Sequence, residues 1–339
     1  MKIFITGGCG FIGSNFVLHM LESGPDCEIL NFDALTYAGN LDNLSAVGDD
    51  PRHQFIRGDI TRRAEVESAL DDSFDAIVHF AAESHVDRSV EGPEIFLRTN
   101  VLGTQILLDR AREVGTKVFV MVSTDEVYGS LGAEGLFTEQ TPLAPNSPYS
   151  ASKAAADLVC RSYHHTFGMD VRTTRCSNNY GPFQFPEKLI PLMIANAMED
   201  KALPVYGDGK NVRDWLYVGD HCSAIDVVMR RGKAGEVYNI GGNSERQNIE
   251  VVKAILDAVG KPYSLIGYVT DRPGHDRRYA IDASYINAEL GWEPTVGFEE
   301  GLQKTVDWYL AHADWMEKIR SGAYRAYYEQ MYGGRQQLG

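Results

Sequence analysis

The chain has 339 residues, 44% of them hydrophobic and 23% charged, which suits one large globular domain or two modest ones sharing a core. A formal net charge of −15 argues against a nucleic-acid surface and against anchoring to an anionic membrane, although a small anionic ligand would feel only its local site. Five scattered cysteines, without a C-x-x-C pair, suit reduced thiols in a cytosol better than a disulfide or zinc framework.

The chain opens MKIFITGGCGFIG, strand-like from its second residue, with no charged leader and apolar block to cleave. The longest apolar runs are of strand length, far short of a bilayer span, so a cytoplasmic protein is expected. Short β-rich runs then alternate with helical spacing. KIFITG, EILNFD, HQFIRGD, DAIVHFAA and KVFVMVS are separated by SNFVLHMLESG, RRAEVESALDDS and RTNVLGTQILLDRAREVG. Near-continuous apolar strands between helices predict an α/β fold, a Rossmann-type doubly wound parallel sheet covered on both faces. DVRTTRCSN and GEVYNIGG read as further strands of that sheet. After Tyr180 prolines, glycines and aromatics cluster, which predicts a smaller, partly interleaved substrate lobe over 181–330 beside a dinucleotide-binding part over 1–180. Residues 331–339 read as a frayed tail, and AYRAYYEQMYGGRQQLG before and through it as a helix packed on the smaller lobe.

ITGGCGFIGSNF places Gly7, Gly10 and Gly13 between the first strand and first helix, where glycines let backbone N–H groups approach a pyrophosphate. Asp33 ends the second strand, placed to accept hydrogen bonds from adenosine ribose hydroxyls. With no arginine in the following ALTY to receive a 2′-phosphate, NAD is expected rather than NADP. Asp59 and the run Phe80–Ser84 end the third and fourth strands, where such a sheet builds its ligand crevice. VFVMVSTDEVYG then ends a buried strand with two adjacent carboxylates, Asp125 and Glu126. Neighbours on an extended strand point to opposite faces, so both reach one substrate only if DEVYG leaves strand geometry, as its turn-like composition predicts.

NSPYSASKAAADLVCRSY holds Tyr149 and Lys153 four apart on one helical face. A tyrosine ordinarily titrates near about 10, and a neighbouring ammonium with a cationic nicotinamide is expected to lower that and make a usable base. This pair, after the glycine turn and five strands in that order, resembles the extended short-chain dehydrogenase/reductase family. The resemblance sharpens through STDEVYG, YSASK, AAESHVDRS, SNNYGP, FPEKLIP, RDWLYV, YNIGG and DRPGHDRRYAID, which look like the dTDP-glucose 4,6-dehydratase (RmlB-type) family of 6-deoxysugar pathways.

That resemblance implies roles. Tyr149 would be the base for the carbon 4 hydroxyl, Lys153 its electrostatic partner and Thr124 a donor to the carbon 4 oxygen. Asp125 would be the acid at carbon 6 and Glu126 the base at carbon 5. It extends the NAD contacts to Phe11, Ile12, Ala34, Leu35, Thr36, Ile60, Ala81, Ala82, Thr99 and Asn179, beside the glycines, Asp33, Asp59, Phe80, Ser84, Tyr149 and Lys153. Nucleotide-sugar contacts would come from Ser84, Thr124, Asn178, Lys188, Leu189 and Arg213, with the Pro204-Val205-Tyr206 turn and Asn248 on the nucleoside. The loop Asp271, Arg272, Pro273, Gly274 and His275 would join the cations facing the diphosphate. Asn178 and Asn179 are read as ending a strand. The family also pairs two helices per subunit across a two-fold axis, which implies a homodimer.

A 4,6-dehydratase of a UDP- or GDP-linked sugar stays open. A nucleotide-sugar 4-epimerase on the same scaffold would place small hydroxyl residues where the carboxylate pair stands, and a non-catalytic NAD sensor would be expected to lose Tyr149, Lys153 or the carboxylates. No H-E-x-x-H or similar spacing occurs among the nine histidines, so no metal is expected, and His164 and His165 read as helix-surface residues.

Overall fold

The computed structural model describes residues 1–271 and 275–320; the expected C-terminal helix and frayed tail lie outside the described residues. Five parallel strands run through the first half, all but the third largely buried: β1 (Lys2–Thr6), β2 (Glu28–Asp33), β3 (His53–Arg57), β4 (Ala76–His79) and β5 (Val118–Thr124). They are joined by β6 (Val171–Cys176) and β10 (Val237–Ile240) in a seven-stranded sheet of order β10-β6-β5-β4-β1-β2-β3. All its pairings are parallel. The order reverses between β1 and β4, the switch point at which such sheets open a crevice beyond their strand ends.

Helices cover both faces of this sheet, and further helices pack outside it. In chain order they are α1 (Phe11–Ser23), α2 (Arg63–Ala69), α3 (Val86–Glu91), α4 (Pro93–Phe96), α5 (Thr104–Val114), α6 (Pro148–Phe167), α7 (Leu189–Met198), α8 (Val218–Arg231), α9 (Asn248–Val259), α10 (Ser284–Leu290), α11 (Phe298–Ala311) and α12 (Ala313–Ile319). Alternation along β1 sends Ile3 and Ile5 into the apolar layer under α1 and α8, and Phe4 into the layer under α2, α5 and α6. A seven-residue π-helical segment, Leu97–Gly103, links α4 to α5 and turns Thr99 toward the switch point. The long α6 starts on a capping box between Ser147 and Ser150 with Pro148 at its first position, and stops at left-handed Gly168.

The remaining strands form two small sheets outside the main one. β7 (Asn178–Tyr180), β9 (Val212–Tyr217) and β11 (Glu245–Gln247) make a three-stranded sheet of order β11-β9-β7, while β8 (Leu203–Tyr206) pairs with β12 (Ile266–Val269). Two expectations change here. Pro204-Val205-Tyr206 is strand rather than turn, and Pro204 is tolerated because β8 has a single strand neighbour and needs fewer backbone donors. Asn178 and Asn179 open β7, paired to β9, instead of closing the strand before it. A third apolar cluster joins α7, α9, α11 and α12 around Tyr180, Trp215 and Tyr309. Trp315 on α12 reaches back to donate to Asn43 Oδ1 at 2.8 Å, which fastens this cluster to the first half of the chain.

Candidate active site

The turn after β1 is built for close backbone approach. Gly7 has φ +72°, and a Cβ there would stand 2.6 Å from the Ala81 amide nitrogen. At Gly13 a Cβ would stand 2.2 Å from the Gly7 carbonyl oxygen, so α1 can press against the turn only with glycine there. The first turn of α1, capped by Gly10 without a side-chain cap, faces the cleft through Phe11, Ile12 and Gly13. Unshielded amides at a helix N-terminus form a cradle that fits a pyrophosphate. Asp33 closes the other side of that turn. Its carboxylate accepts from the Cys9 amide at 2.9 Å and the Leu35 amide at 2.8 Å. Burial raises its pKa while the two amides pull it down, and the residue lines the cleft.

One cleft of about 350 Å³ runs from this cradle across the strand ends. Its walls include Gly7, Gly10, Asp33, Ala34, Thr36, Asp59, Ile60, Phe80, Ala81, Ala82, Ser84, Thr99 and Asn179, so the expected cofactor contacts gather as one surface. Leu35 is the exception. It takes a left-handed φ of +52° and packs its side chain into the core, serving Asp33 through its amide only.

At the far end of the same cleft stand Thr124, Asp125, Glu126, Tyr149 and Lys153. β5 ends at Thr124, still extended at φ −140° and ψ 153°, and the next four residues, Asp125–Tyr128, curl into a 3₁₀ turn. The Thr124 hydroxyl caps it, accepting from the Glu126 amide at 3.3 Å. Departure from strand geometry at this point lets two adjacent carboxylates line one cavity. The chain leaves the turn through Gly129 at φ +90°, where a Cβ would strike the Ala144 carbonyl oxygen at 2.4 Å.

The electrostatics separate these groups. Asp125 is 2% exposed and its Oδ2 has no hydrogen-bond partner, while Oδ1 accepts a long 3.4 Å bond from Thr124. Burial, then repulsion from Glu126 and Asp214, pushes its pKa well above the usual carboxylate range, with Arg213 and Thr124 offsetting only part. Burial thus favours the protonated form of Asp125 more than an exposed carboxylate would allow. The protein's own groups together do not lower the Tyr149 pKa, and the expected lowering counts also on a cationic nicotinamide. Burial foremost, then Glu126, Cys176 and Asp125, hold the phenol well above its ordinary value, and Thr124 alone favours ionisation. Lys153, 4% exposed, spends a proton on the Val122 carbonyl at 2.8 Å. Its own pKa is lowered by burial and supported chiefly by Asp157.

Of the expected sugar-nucleotide contacts, Ser84, Thr124, Asn178 and Lys188 line the cleft, and Lys188 donates to the Ser84 carbonyl at 3.0 Å. Leu189, Pro204, Val205, Tyr206, Arg213, Asn248, Asp271 and His275 do not. Arg213 is buried under the Tyr279 ring and donates to the Val212 and Asp276 carbonyls, near enough to Asp125 to pull its pKa down. Tyr206, Asp271 and His275 gather instead beside β8, where His275 Nδ1 meets Asp271 Oδ1 at 2.6 Å and its ring stands edge-on to Tyr206. Asn248 begins α9 with its side-chain oxygen buried and unpaired. Arg272, Pro273 and Gly274 lie outside the described residues.

Several cleft residues went unread in the sequence: Cys176, Ser177, Gln184, Phe185 and Glu187. Glu187 is the most telling. Its carboxylate is 2% exposed, receives Arg88 Nε at 3.2 Å and is raised in pKa by burial. Its place beside Lys188 in FPEKLIP was the one available signal. Among the described residues no group of three or more His, Cys, Asp or Glu gathers as metal ligands would.

Comparison with known proteins places these features in context. Residues 4–305 match the family model described as GDP-mannose 4,6 dehydratase. A dTDP-glucose 4,6-dehydratase of Xanthomonas campestris pv. campestris (strain B100) is 56% identical, over 95% of this chain and 96% of that protein. The crystal structure of DesIV, a dTDP-glucose 4,6-dehydratase from Streptomyces venezuelae with NAD bound, is 51% identical and superposes with a TM-score of 0.92, over 94% of this chain and all of the other. The UDP-glucose 4-epimerase of Thermus thermophilus, also in complex with NAD, is 31% identical with a TM-score of 0.86, over 92% of this chain and 100% of that one.

Because the folded pKa of Asp125 lies above its unfolded value, the folded state holds the extra proton between them and stability falls as pH rises through that window. Asp125→Asn should therefore raise stability at neutral pH, with the gain vanishing as pH approaches about 4, the ordinary carboxylate value. Denaturant unfolding of both proteins at several pH values measures it; a variant less stable at neutral pH would contradict a raised pKa at Asp125.

Proposed function

The chain belongs to the family of nucleotide-sugar 4,6-dehydratases described by that model, and from this membership we propose that it is an NAD-dependent dTDP-glucose 4,6-dehydratase, a hydro-lyase. It would yield dTDP-4-keto-6-deoxy-glucose through oxidation at carbon 4, loss of water across carbons 5 and 6, and reduction at carbon 6. The observation that carries the reading is the opening of the Asp125–Glu126 turn into the cleft that holds Tyr149 and Lys153. The epimerase fold is shared, so topology does not discriminate. An added acid and base discriminate, because epimerisation needs neither.

The cleft's glycine cradle and Asp33 fit a dinucleotide, held also by Ala34, Thr36, Asp59, Ile60, Phe80 to Ala82, Ser84, Thr99 and Asn179. NAD, when bound, supplies reversible hydride storage. Every remaining task falls to side chains. Tyr149 takes the proton of the carbon 4 hydroxyl, a step that its raised pKa opposes until the site gains positive charge, and Lys153 stabilises the phenolate that forms. The Thr124 hydroxyl donates to the carbon 4 oxygen. A ketone there acidifies the carbon 5 hydrogen, which Glu126 removes. Asp125, whose pKa burial raises, acts as the acid that gives a proton to the hydroxyl leaving carbon 6. The carboxylates thus divide the elimination between them as acid and base. Lys188, with Ser84 and Asn178, faces the sugar diphosphate in this reading.

The nucleotide is assigned by likeness. The matching model names GDP-mannose, while curated relatives at 50–56% identity name dTDP-glucose, and the higher resemblance decides for thymidine. Side-by-side rates on dTDP-, UDP-, GDP- and CDP-glucose test it, with the thymidine sugar fastest and a keto-deoxy product formed without added oxidant. Residues 1–180, with β10, would bind NAD, and the interleaved remainder the nucleotide sugar. No helix among the described residues is long and apolar enough to cross a membrane, and all five cysteines are free, which supports a cytoplasmic place for the enzyme.

We also infer a homodimer built on α5 and α6. Leu97, Leu102 and Leu158 stand about half exposed on the adjoining π segment and on α6, an apolar surface suited to a second copy.

Glu126→Gln should cut dehydration by at least about 100-fold, the scale of a general base, while carbon 4 oxidation still raises reduced-nicotinamide absorbance. Full dehydratase activity in that variant would contradict the role. Leu158→Glu should leave the fold intact and convert the dimer to a monomer by sedimentation; an unchanged sedimentation coefficient would move the interface elsewhere.

A further inference from the structure

On the far side of β6 from the cleft runs a chain of buried polar contacts that takes no direct part in the chemistry. Successive residues of β6 face opposite ways, so Cys176 lines the cleft while Arg175 turns under α6. Arg175 is 6% exposed. Its Nε donates to Asp157 Oδ2 at 2.9 Å, and its Nη1 donates to the Tyr128 hydroxyl at 2.9 Å. Tyr128 in turn donates to Asn239 Oδ1 on β10 at 2.7 Å, and its ring stacks on Phe137 with centroids 5.1 Å apart. The guanidinium also lies 4.9 Å from the Tyr128 ring centre.

The location of the two ends gives this network its meaning. Asp157 stands one helical turn beyond Lys153 on α6, in line with Tyr149 and Lys153 at successive i, i+4 positions. Tyr128 is the last residue of the 3₁₀ turn that begins with Asp125. One guanidinium therefore joins the helix of the oxidation pair to the turn of the elimination pair. For stability alone, well-packed apolar side chains often replace a buried ion pair without loss. What they lack is the fixed fork of donors that ties two separate elements at set distances.

We propose that Arg175 is a positioning residue, clamping Asp157 on α6 and Tyr128 on the catalytic turn so that Tyr149–Lys153 and Asp125–Glu126 address one bound sugar. The Asp157 end has a second effect. Its carboxylate is the main support for the charge on buried Lys153, so the residue the clamp fixes also favours that ammonium. The inference rests on the dehydratase reading of the cleft, but it assigns no new chemistry to it.

Tyr128→Phe tests the clamp with the least disturbance, since it removes one hydroxyl and keeps both the ring stack and the Arg175–Asp157 pair. With holoenzyme and dTDP-glucose, kcat should fall roughly tenfold to a hundredfold, the scale of a small misplacement, while KM stays within about twofold. In a single turnover, reduced-nicotinamide absorbance should build up above that of the wild type, because elimination lags behind oxidation. Arg175→Lys, able to reach only one end, should show the same partition. A Tyr128→Phe enzyme at the wild-type rate, or one that loses kcat only in step with its folded fraction, would overturn the proposal. Wild-type enzyme that leaves dTDP-glucose unchanged would overturn the dehydratase reading itself, a separate failure seen before any variant is made.

Discussion

A β-strand shows only alternate side chains to one face, and the whole arrangement depends on breaking that rule at one residue. Thr124 is the last extended residue of β5; from Asp125 the backbone curls into a 3₁₀ turn that its hydroxyl caps. Had β5 continued, one carboxylate would point to the cleft and the other into the layer beneath α6. Because it stops, an acid and its neighbour share a cavity with a phenol and an ammonium carried by a different element. Gly129 and its close approach to Ala144 fix where the turn must end.

Such a site is costly to build. Asp125, Tyr149 and Lys153 are all nearly sealed from water, and burial is the leading influence on each of their pKa values. Desolvation drives Asp125 and Tyr149 toward neutrality and disfavours the charge on Lys153. The apolar layers on both faces of the sheet offset that cost and hold strand ends, α6 and the 3₁₀ turn in register. Function and local stability pull against each other here, as buried catalytic acids generally require.

Much of this was legible in the amino-acid order, for reasons that can be named. Apolar strands between amphipathic helices announced a parallel sheet, and Gly7, Gly10 and Gly13 had to be glycines if a backbone was to approach a phosphate. Tyr149 and Lys153 needed only helical spacing to be placed together, and the turn character of DEVYG was visible in its composition. What failed depended on tertiary neighbours. The Tyr149 pKa was expected to fall under Lys153 and a cationic nicotinamide together; among the protein's own groups burial, then Glu126, raises it, and the Lys153 ammonium donates to the Val122 carbonyl. Gln184 and Glu187 reach the cleft only because a loop far along the chain folds over it. Pro204 looked like a turn residue because its strand has a single partner, and Leu35 looked like a ligand contact until its positive φ turned the side chain inward.

The central claim is that one cleft carries out oxidation, elimination and reduction on a single sugar without releasing reducing power. Its most direct test uses dTDP-glucose labelled with deuterium at carbon 4 and enzyme with no added oxidant. The label should reappear at carbon 6 of the 4-keto-6-deoxy product. Loss of the label to solvent, or its return to carbon 4 with water uneliminated, would contradict the account.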